Sequence, residues 1–170
     1  MTNPGDLKVA ARGDREIVIT RSFNAPRALV WEAYNDPELL KQWLLGPPGW
    51  AMVVCEVANK VGAPYHYVWR NQDGREMGMN GVAREITPPQ RVVYTESMDG
   101  QPGESLVTTV LVEEAGRTFL TTTAVYDSRE VREMVLKSGM ERGIAASYER
   151  LDNILRQRQD QAKEKGAGGA

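Results

Sequence analysis

The sequence is short of the residues that form covalent or metal-bound frameworks. Among its 170 residues it has one cysteine, Cys55, and one histidine, His66. A single cysteine excludes an internal disulfide and a cysteine metal cluster, and one histidine without a cysteine partner gives zinc no ligand set. Strand alternation turns His66 away from Tyr65 and Tyr67, so we interpret it as a solvent-exposed strand residue. We therefore expect neither a metal site nor a catalytic triad.

Glycine-rich phosphate loops and long apolar runs are missing as well. Gly74, Gly78 and Gly81 have the spacing of hairpins rather than of nucleotide-binding loops, so we expect no cofactor. No segment approaches the ~20 apolar residues needed to cross a bilayer. Residues 1–16 also lack the apolar run of a signal peptide. These absences favour a cytoplasmic protein.

Neither sign of charge is in excess. Lys and Arg total 21, Asp and Glu total 23, and the formal net charge is −2. The basic residues are scattered, which argues against nucleic acid and an anionic membrane surface as partners. We find no repeat and no linker long enough to divide the chain, so we predict one domain at 14–159. Residues 1–13 and 160–170 are predicted to be flexible tails.

The strongest pattern is a one-faced helix from Met140 to about Gln159. Its apolar residues recur at steps of three and four, a spacing that requires a large apolar partner surface: Met140, Ile144, Tyr148, Leu151 and Leu155. The apolar residues just before it, at 131–135, point roughly 150–200° away on the same helical wheel. We therefore predict a separate short helix at 128–137, capped by Asp127, and a break at Ser138-Gly139.

Short alternating segments fill most of the chain before these helices. One strand is predicted at 16–22, followed by a helix at 26–34 and a second helix with Asp36 as N-cap and Pro37 at its first position. Six further strands follow, at 51–57, 65–70, 76–86, 91–98, 105–113 and 118–126. Because short turns join consecutive strands, we expect an antiparallel meander in an α+β domain.

This order of elements, and the residues that carry it, resemble a known family. The residues are those at 23–50, Cys55-Glu56-Val57, and those at 80–95, 103–114 and 138–155. They resemble the SRPBCC or START-like superfamily, and within it the branch akin to the C-terminal domain of the Hsp90 ATPase activator Aha1. The resemblance covers about residues 15–157. It implies a helix-grip fold, in which a curved sheet of six to seven antiparallel strands is closed by a long C-terminal helix, with two short helices after the first strand.

Large, adaptable apolar side chains share faces of the predicted elements. They suit either an ordinary core or an apolar cavity, and the resemblance favours a cavity because relatives hold ligands between sheet and helix. The candidates are Trp43, Tyr65, Tyr67, Trp69, Met77, Met79, Val92, Tyr94, Met140, Ile144 and Tyr148. Relatives often carry tryptophan in place of Leu44 and Ile144, a difference that would enlarge the interior. Glu56 and Glu85 are candidates for polar groups at the cavity wall or for ion-pair partners.

Three functions fit these observations. The leading hypothesis is that the domain binds a small hydrophobic ligand without catalysis. The resemblance alone suggests a second, a protein–protein module that contacts Hsp90. A third is an enzyme similar to cyclases or hydrolases of aromatic polyketides, with Glu56, Tyr65 or Tyr94 as acid–base groups. The fold also allows a homodimer formed by pairing of an edge strand with a second copy.

Overall fold

Residues 6–167 are described by a computed structural model, in which they form an eight-stranded sheet and four helices. The elements in chain order are β1 Lys8–Arg12, β2 Glu16–Phe23, α1 Arg27–Asn35, α2 Pro37–Trp43, β3 Trp50–Glu56, β4 Pro64–Asn71, β5 Glu76–Thr87, β6 Arg91–Met98, β7 Ser105–Glu114, β8 Arg117–Val125, α3 Arg129–Lys137 and α4 Met140–Ala167. In these residues no helix is long and apolar enough to cross a membrane.

The strands form one antiparallel sheet in the order β1-β2-β8-β7-β6-β5-β4-β3. Strand β2 pairs with β8, so the first part of the chain and the end of the meander lie side by side near the β1 edge of the sheet. The sheet curves and α4 lies across its concave face. This arrangement confirms the α+β helix-grip fold, with β1 and β3 at the two edges. Pairing of an edge with a second copy of the chain stays a prediction.

The eighth strand, β1, corrects the prediction of a flexible tail at 1–13. It pairs with β2 from Lys8↔Thr20 to Arg12↔Glu16, across a turn in which Gly13 has a φ of +56°. Four of its five residues are exposed. Because β1 has no apolar alternation, the sequence carried no signal for it. The part of the predicted tail at residues 1–5 lies outside the described residues.

At the other terminus, α4 continues to Ala167 instead of ending near Gln159. Residues 160–166 are exposed, so no apolar face marks them as helical. They are mostly good helix formers, which extend an existing helix without tertiary contacts. The predicted flexible tail at 160–170 is therefore corrected up to Ala167, and residues 168–170 lie outside the description.

The helix boundaries follow local chemistry. The Asp36 side chain accepts a hydrogen bond from the Glu38 N–H, with Pro37 in the first turn, as predicted. The predicted break between α3 and α4 is confirmed, and Gly139 adopts a φ of +85° there. The predicted cap of α3 is wrong by one residue: Ser128, not Asp127, accepts the hydrogen bond from the Val131 N–H.

The packed core occupies one end of the space between sheet and helices. It joins β2 and β8 to α1, α2 and the middle of α4 through Ile17, Phe23, Val30, Leu40, Trp43, Leu120, Leu151 and Leu155. The remaining space, under β4–β6 and the first half of α4, is left for the site described next.

Candidate ligand-binding cavity

A cavity of about 650 Å³ lies between the concave face of the sheet and the helices α2 and α4. Its wall combines inward residues of β4–β8 with residues of α1, α2 and the α3–α4 junction. All eleven apolar candidates lie on this wall: Trp43, Tyr65, Tyr67, Trp69, Met77, Met79, Val92, Tyr94, Met140, Ile144 and Tyr148. Leu44, where relatives often carry tryptophan, lies there too. That any of them contacts a ligand stays a prediction.

Alternation along β4 and β5 builds the aromatic side of the wall. Tyr65, Tyr67 and Trp69 point to the same face, and their ring centres are 5.2 and 6.1 Å apart in succession. Across the strand pair, Tyr67 lies opposite Met79 and Trp69 opposite Met77. Met77 is 45% exposed and therefore marks an opening of the cavity. Aromatic rings and thioethers form a surface that adapts to the shape of an apolar ligand.

Tyr65 is held by the backbone of β6. Its hydroxyl donates a hydrogen bond to the Thr95 carbonyl at 2.6 Å, across the position of Gly81. A Cβ at Gly81 would lie 1.8 Å from that carbonyl oxygen and 2.7 Å from the Tyr65 ring, so only glycine permits the contact. Burial raises the pKa of Tyr65 far above that of a free phenol. Tyr65 is therefore a fixed part of the wall rather than an acid or base.

The helix side of the wall contains a buried polar network. The Tyr34 hydroxyl donates a hydrogen bond to the Tyr148 hydroxyl at 2.9 Å, which supplies the partner that a buried tyrosine needs. Beside them Arg21, 3% exposed, forms an ion pair with Asp152 of α4. The Arg21 guanidinium lies 4.7 Å from the Phe23 ring centre and 5.5 Å from that of Tyr148. These contacts attach α4 to β2.

The loop between α2 and β3 closes the cavity by hydrogen bonds at Leu44 and Gly46. The Trp69 indole donates to the Leu44 carbonyl at 2.6 Å, which ties β4 to this loop. The Gly46 N–H donates to Ser147 Oγ at 2.9 Å, and Arg150 donates to the Gly46 carbonyl at 2.8 Å. The loop is therefore fastened both to the sheet and to α4.

Glu96 is a cavity-lining carboxyl group that was not among the sequence-based candidates. It lies on β6 two residues after Tyr94, on the same face, and lines the cavity. Burial raises the pKa of its carboxyl to about 7. Within residues 6–167 the carboxylate accepts no hydrogen bond from the protein. The signal was present in the alternation of Val92, Tyr94 and Glu96, but a charged residue near a strand end is usually solvent-exposed.

Three tyrosines around this end of the cavity also have free hydroxyls. Tyr67, Tyr94 and Tyr126 line the cavity, and in the described part of the chain their hydroxyls form no hydrogen bond. Burial raises the pKa of all three, that of Tyr126 to about 12, and the charge of Glu96 adds to the rise at Tyr94 and Tyr126. All three are therefore neutral hydrogen-bonding groups near neutral pH.

The two predicted polar residues do not lie inside the cavity as Glu96 does. Glu85 reaches the cavity at its margin, where it forms an ion pair with exposed Arg91 at 2.8 Å. Glu56 is exposed and does not line the cavity, so its placement at the wall is corrected. The reason is a β-bulge between Met52 and Val54, which reverses the alternation in the rest of β3.

The remaining residues with reactive side chains, His66 and Cys55, have local contacts outside the cavity lining. His66 lies outside the cavity, half-exposed, with Nε2 2.7 Å from one Asp99 carboxylate oxygen, and the Asn80 amide donates a hydrogen bond to the other at 2.6 Å. Hydrogen bonds from His66 and Asn80 lower the pKa of Asp99. Burial raises the pKa of the Cys55 thiol, which packs against the core. Residues 6–167 contain no cluster of three His, Cys, Asp or Glu side chains that could hold a metal ion.

Comparison with known proteins gives a consistent result. Residues 24–156 match the family described as Activator of Hsp90 ATPase homolog 1-like protein. A solved structure from Rhodobacter sphaeroides is 30% identical with a TM-score of 0.84, and the match covers 89% of this chain and 99% of that one. Structures from Arthrobacter aurescens (24% identical, TM-score 0.77, 88% and 91% covered) and Mycobacterium smegmatis (23%, 0.75, 87% and 97%) share the fold. No protein with a curated description matches the sequence.

Proposed function

The chain belongs to the Activator of Hsp90 ATPase homolog 1-like family, and from this premise we propose that it binds a small hydrophobic ligand between the sheet and α4. The observation that carries the proposal is the cavity of about 650 Å³ with its aromatic and aliphatic wall. Pockets for small molecules are typically about 300–1,000 Å³, mostly apolar, with a few polar groups. Both the volume and the chemistry of this cavity fall within that description.

Ordinary core packing does not account for the same residues. Protein interiors are packed as densely as organic crystals, and voids larger than a water molecule are few. In this domain the residues of the core cluster are packed in that way, with Trp43 and Leu151 fully buried. Met79, Tyr94 and Ile144 instead remain partly accessible because they face the cavity. A space this large supports a binding role for these side chains.

The direct test is a fluorescence titration of the purified protein with 1-methylpyrene, which is apolar and uncharged. Trp43 and Trp69 line the cavity, so energy transfer from tryptophan to bound pyrene reports entry. We expect saturable transfer and a higher melting temperature, because a ligand that binds only the native state stabilises it. Native mass spectrometry of the protein as purified provides a second readout. Absence of both saturation and stabilisation contradicts the proposal.

Contact with Hsp90 stays a prediction that depends on family membership. It is tested by adding the protein to the host chaperone and measuring the ATPase rate, with chain denatured beforehand as the control. An unchanged rate and no co-purification would end this alternative.

The enzyme hypothesis is altered by the geometry. Of its three predicted acid–base groups, Glu56 lies outside the cavity, Tyr65 is bonded to backbone, and burial holds the pKa of Tyr94 well above 10. Burial raises the pKa of the lining Glu96 to about 7, and a general acid or base works best with a pKa near the working pH. Turnover of an aromatic polyketide ester that is lost in Glu96→Gln would support this second candidate.

A further inference from the structure

The cavity wall carries negative but no positive formal charge. Among the described residues that line it, the ionisable acids are Glu96, which is half-buried inside the cavity, and Glu85, which is paired with Arg91 at the margin. No lysine, arginine or histidine is among these lining residues. Arg21, a buried cation beside the lining residue Tyr148, is already paired with Asp152. Among these lining residues, Glu96 is therefore the one formally charged group without an ion-pair partner.

That carboxyl group lacks the partner it needs. A buried polar group without a hydrogen bond costs free energy, and an unpaired buried carboxylate costs more. The Glu96 carboxylate accepts no hydrogen bond from residues 6–167, although it lies close enough to Tyr65, Tyr94 and Tyr126 for its charge to act on all three. Its oxygens therefore face the space that a ligand would fill. A donor group on that ligand would relieve the cost.

We infer that the cavity selects a neutral or cationic ligand whose hydroxyl or amine donates a hydrogen bond to Glu96, and that it rejects ligands carrying a carboxylate. This inference rests on the proposed function and specifies its chemistry. The apolar body of the ligand lies against the aromatic wall of β4, and its polar group lies at β6. The free hydroxyls of Tyr94 and Tyr126 are next to the same position and can accept from, or donate to, the same polar group.

Binding of a ligand that carries a carboxylate is opposed by the charge of Glu96. It would bring a second negative charge beside Glu96, in a wall with no cation to pair it. Two carboxyl groups in one apolar site cannot both ionise without a large cost. Binding would then require uptake of a proton, which weakens it as pH rises. Fatty acids and aromatic acids are therefore disfavoured, although their apolar parts suit the wall.

The test uses four probes that share one apolar body: 1-methylpyrene, 1-pyrenemethanol, 1-pyrenemethylamine and 1-pyrenecarboxylic acid. Dissociation constants are measured at pH 8 for the wild type, Glu96→Leu, Glu96→Gln and the control Glu114→Gln, which changes an exposed glutamate outside the cavity. For the wild type we expect the alcohol or the amine to bind roughly tenfold or more tightly than methylpyrene, and the acid roughly tenfold or more weakly. Glu114→Gln should keep this ranking.

The variants separate the contribution of the Glu96 carboxyl to binding from that of the apolar cavity wall. In Glu96→Leu the preference for the alcohol and the amine should disappear while methylpyrene still binds. In Glu96→Gln, which keeps the size and an acceptor oxygen, the preference for the amine should fall and the acid should bind more tightly. If the wild type binds all four probes equally, or if Glu96→Leu keeps the ranking, the inference is overturned and ligand binding as such stands. If no probe binds, both the inference and the proposed function are contradicted.

The ranking of the alcohol and the amine distinguishes the two ligand classes. A stronger preference for the amine identifies charge pairing with ionised Glu96. A stronger preference for the alcohol identifies an uncharged hydroxyl that donates a hydrogen bond to the Glu96 carboxylate. Either result supports a ligand group that donates a hydrogen bond to Glu96, because both preferences should be lost in Glu96→Leu.

Discussion

The Arg21 guanidinium meets the Asp152 carboxylate at two points, with N–O distances of 2.9 and 2.6 Å. The Arg21 side chain is 1% exposed and that of Asp152 is 26% exposed, so the cation lies in the interior and its partner at the margin. Removing one member of such a pair leaves an uncompensated buried charge, which is costly. The pair therefore attaches α4 to β2 more firmly than a surface ion pair could.

We expect Asp152→Ala to lower the free energy of unfolding by about 3 kcal/mol, because Arg21 loses its counter-charge. Asp152→Asn, which keeps one acceptor oxygen, should cost less. Urea unfolding at neutral pH measures both, with Glu149→Ala on the exposed face of α4 as the control. A cost for Asp152→Ala no larger than for Glu149→Ala would show that the pair contributes nothing.

The close approach at Gly81 yields a second prediction. Gly81→Ala should destabilise the domain by about 3 kcal/mol or more, because the new Cβ would collide with the Thr95 carbonyl and the Tyr65 ring. Gly166→Ala is the matched control, since a Cβ there meets no atom within 4 Å and alanine favours helix. Thermal unfolding distinguishes the two. Equal melting temperatures would mean that β5 and β6 can separate without cost.

A third prediction concerns the volume of the cavity. Ile144→Trp places a larger side chain on the α4 wall, so it should weaken binding of 1-methylpyrene roughly tenfold or more while the fold is kept. Met134→Trp serves as the control, because Met134 is 66% exposed on α3 and does not line the cavity. Fluorescence titration gives the affinities and circular dichroism the fold. Unchanged affinity in Ile144→Trp would place the probe elsewhere.

The carboxyl of Glu96 yields a prediction about pH. Its pKa is raised by burial from 4.5 to about 7, so the folded state binds the proton more tightly than the unfolded state. The stability linked to this proton is full below pH 4.5 and is lost as pH rises through 7. The groups that face it, Tyr65, Tyr94 and Tyr126, stay neutral in this range because burial raises each pKa.

The wild type should therefore lose roughly 2–3 kcal/mol of unfolding free energy relative to Glu96→Gln between pH 4.5 and pH 8. Urea denaturation of both proteins across this range gives the difference directly, and other titrating groups cancel in the comparison. A difference that does not change with pH would show that Glu96 is solvated in the native state.

The fold was predictable because its main signals are periodic. The apolar stripe of α4 and its rotation relative to Val131 and Val135 predicted both the long helix and the break at Gly139. Strand β1 was not predictable, because an exposed edge strand needs no apolar alternation. Its position is set by long-range contacts: Arg132 of α3 donates to the carbonyls of Gly13 and Glu16 and thereby holds the β1–β2 turn.

The apolar wall was predictable from strand alternation, but the carboxyl group of Glu96 inside it was not. The bulge between Ala83 and Glu85 shifts the register of β5, so that Ile86 and not Glu85 lies opposite the inward residue Val92. Bulges are set by pairing with the neighbouring strand and leave little trace in one sequence. Identifying Glu96 would have required the assumption that a charged residue on an apolar strand face points inward despite the free-energy cost of losing contact with water.

Helix α4 belongs to two environments along its length, and this division has a consequence for hydrogen exchange. Its middle is part of the core, because Leu151 and Leu155 are only 0% and 3% exposed. Met140 and Ile144, in contrast, border the cavity. Local opening is easiest where packing is sparsest. A ligand adds contacts only to the first turns, so occupancy of the cavity should slow amide exchange there and leave the amides around Leu151 almost unchanged.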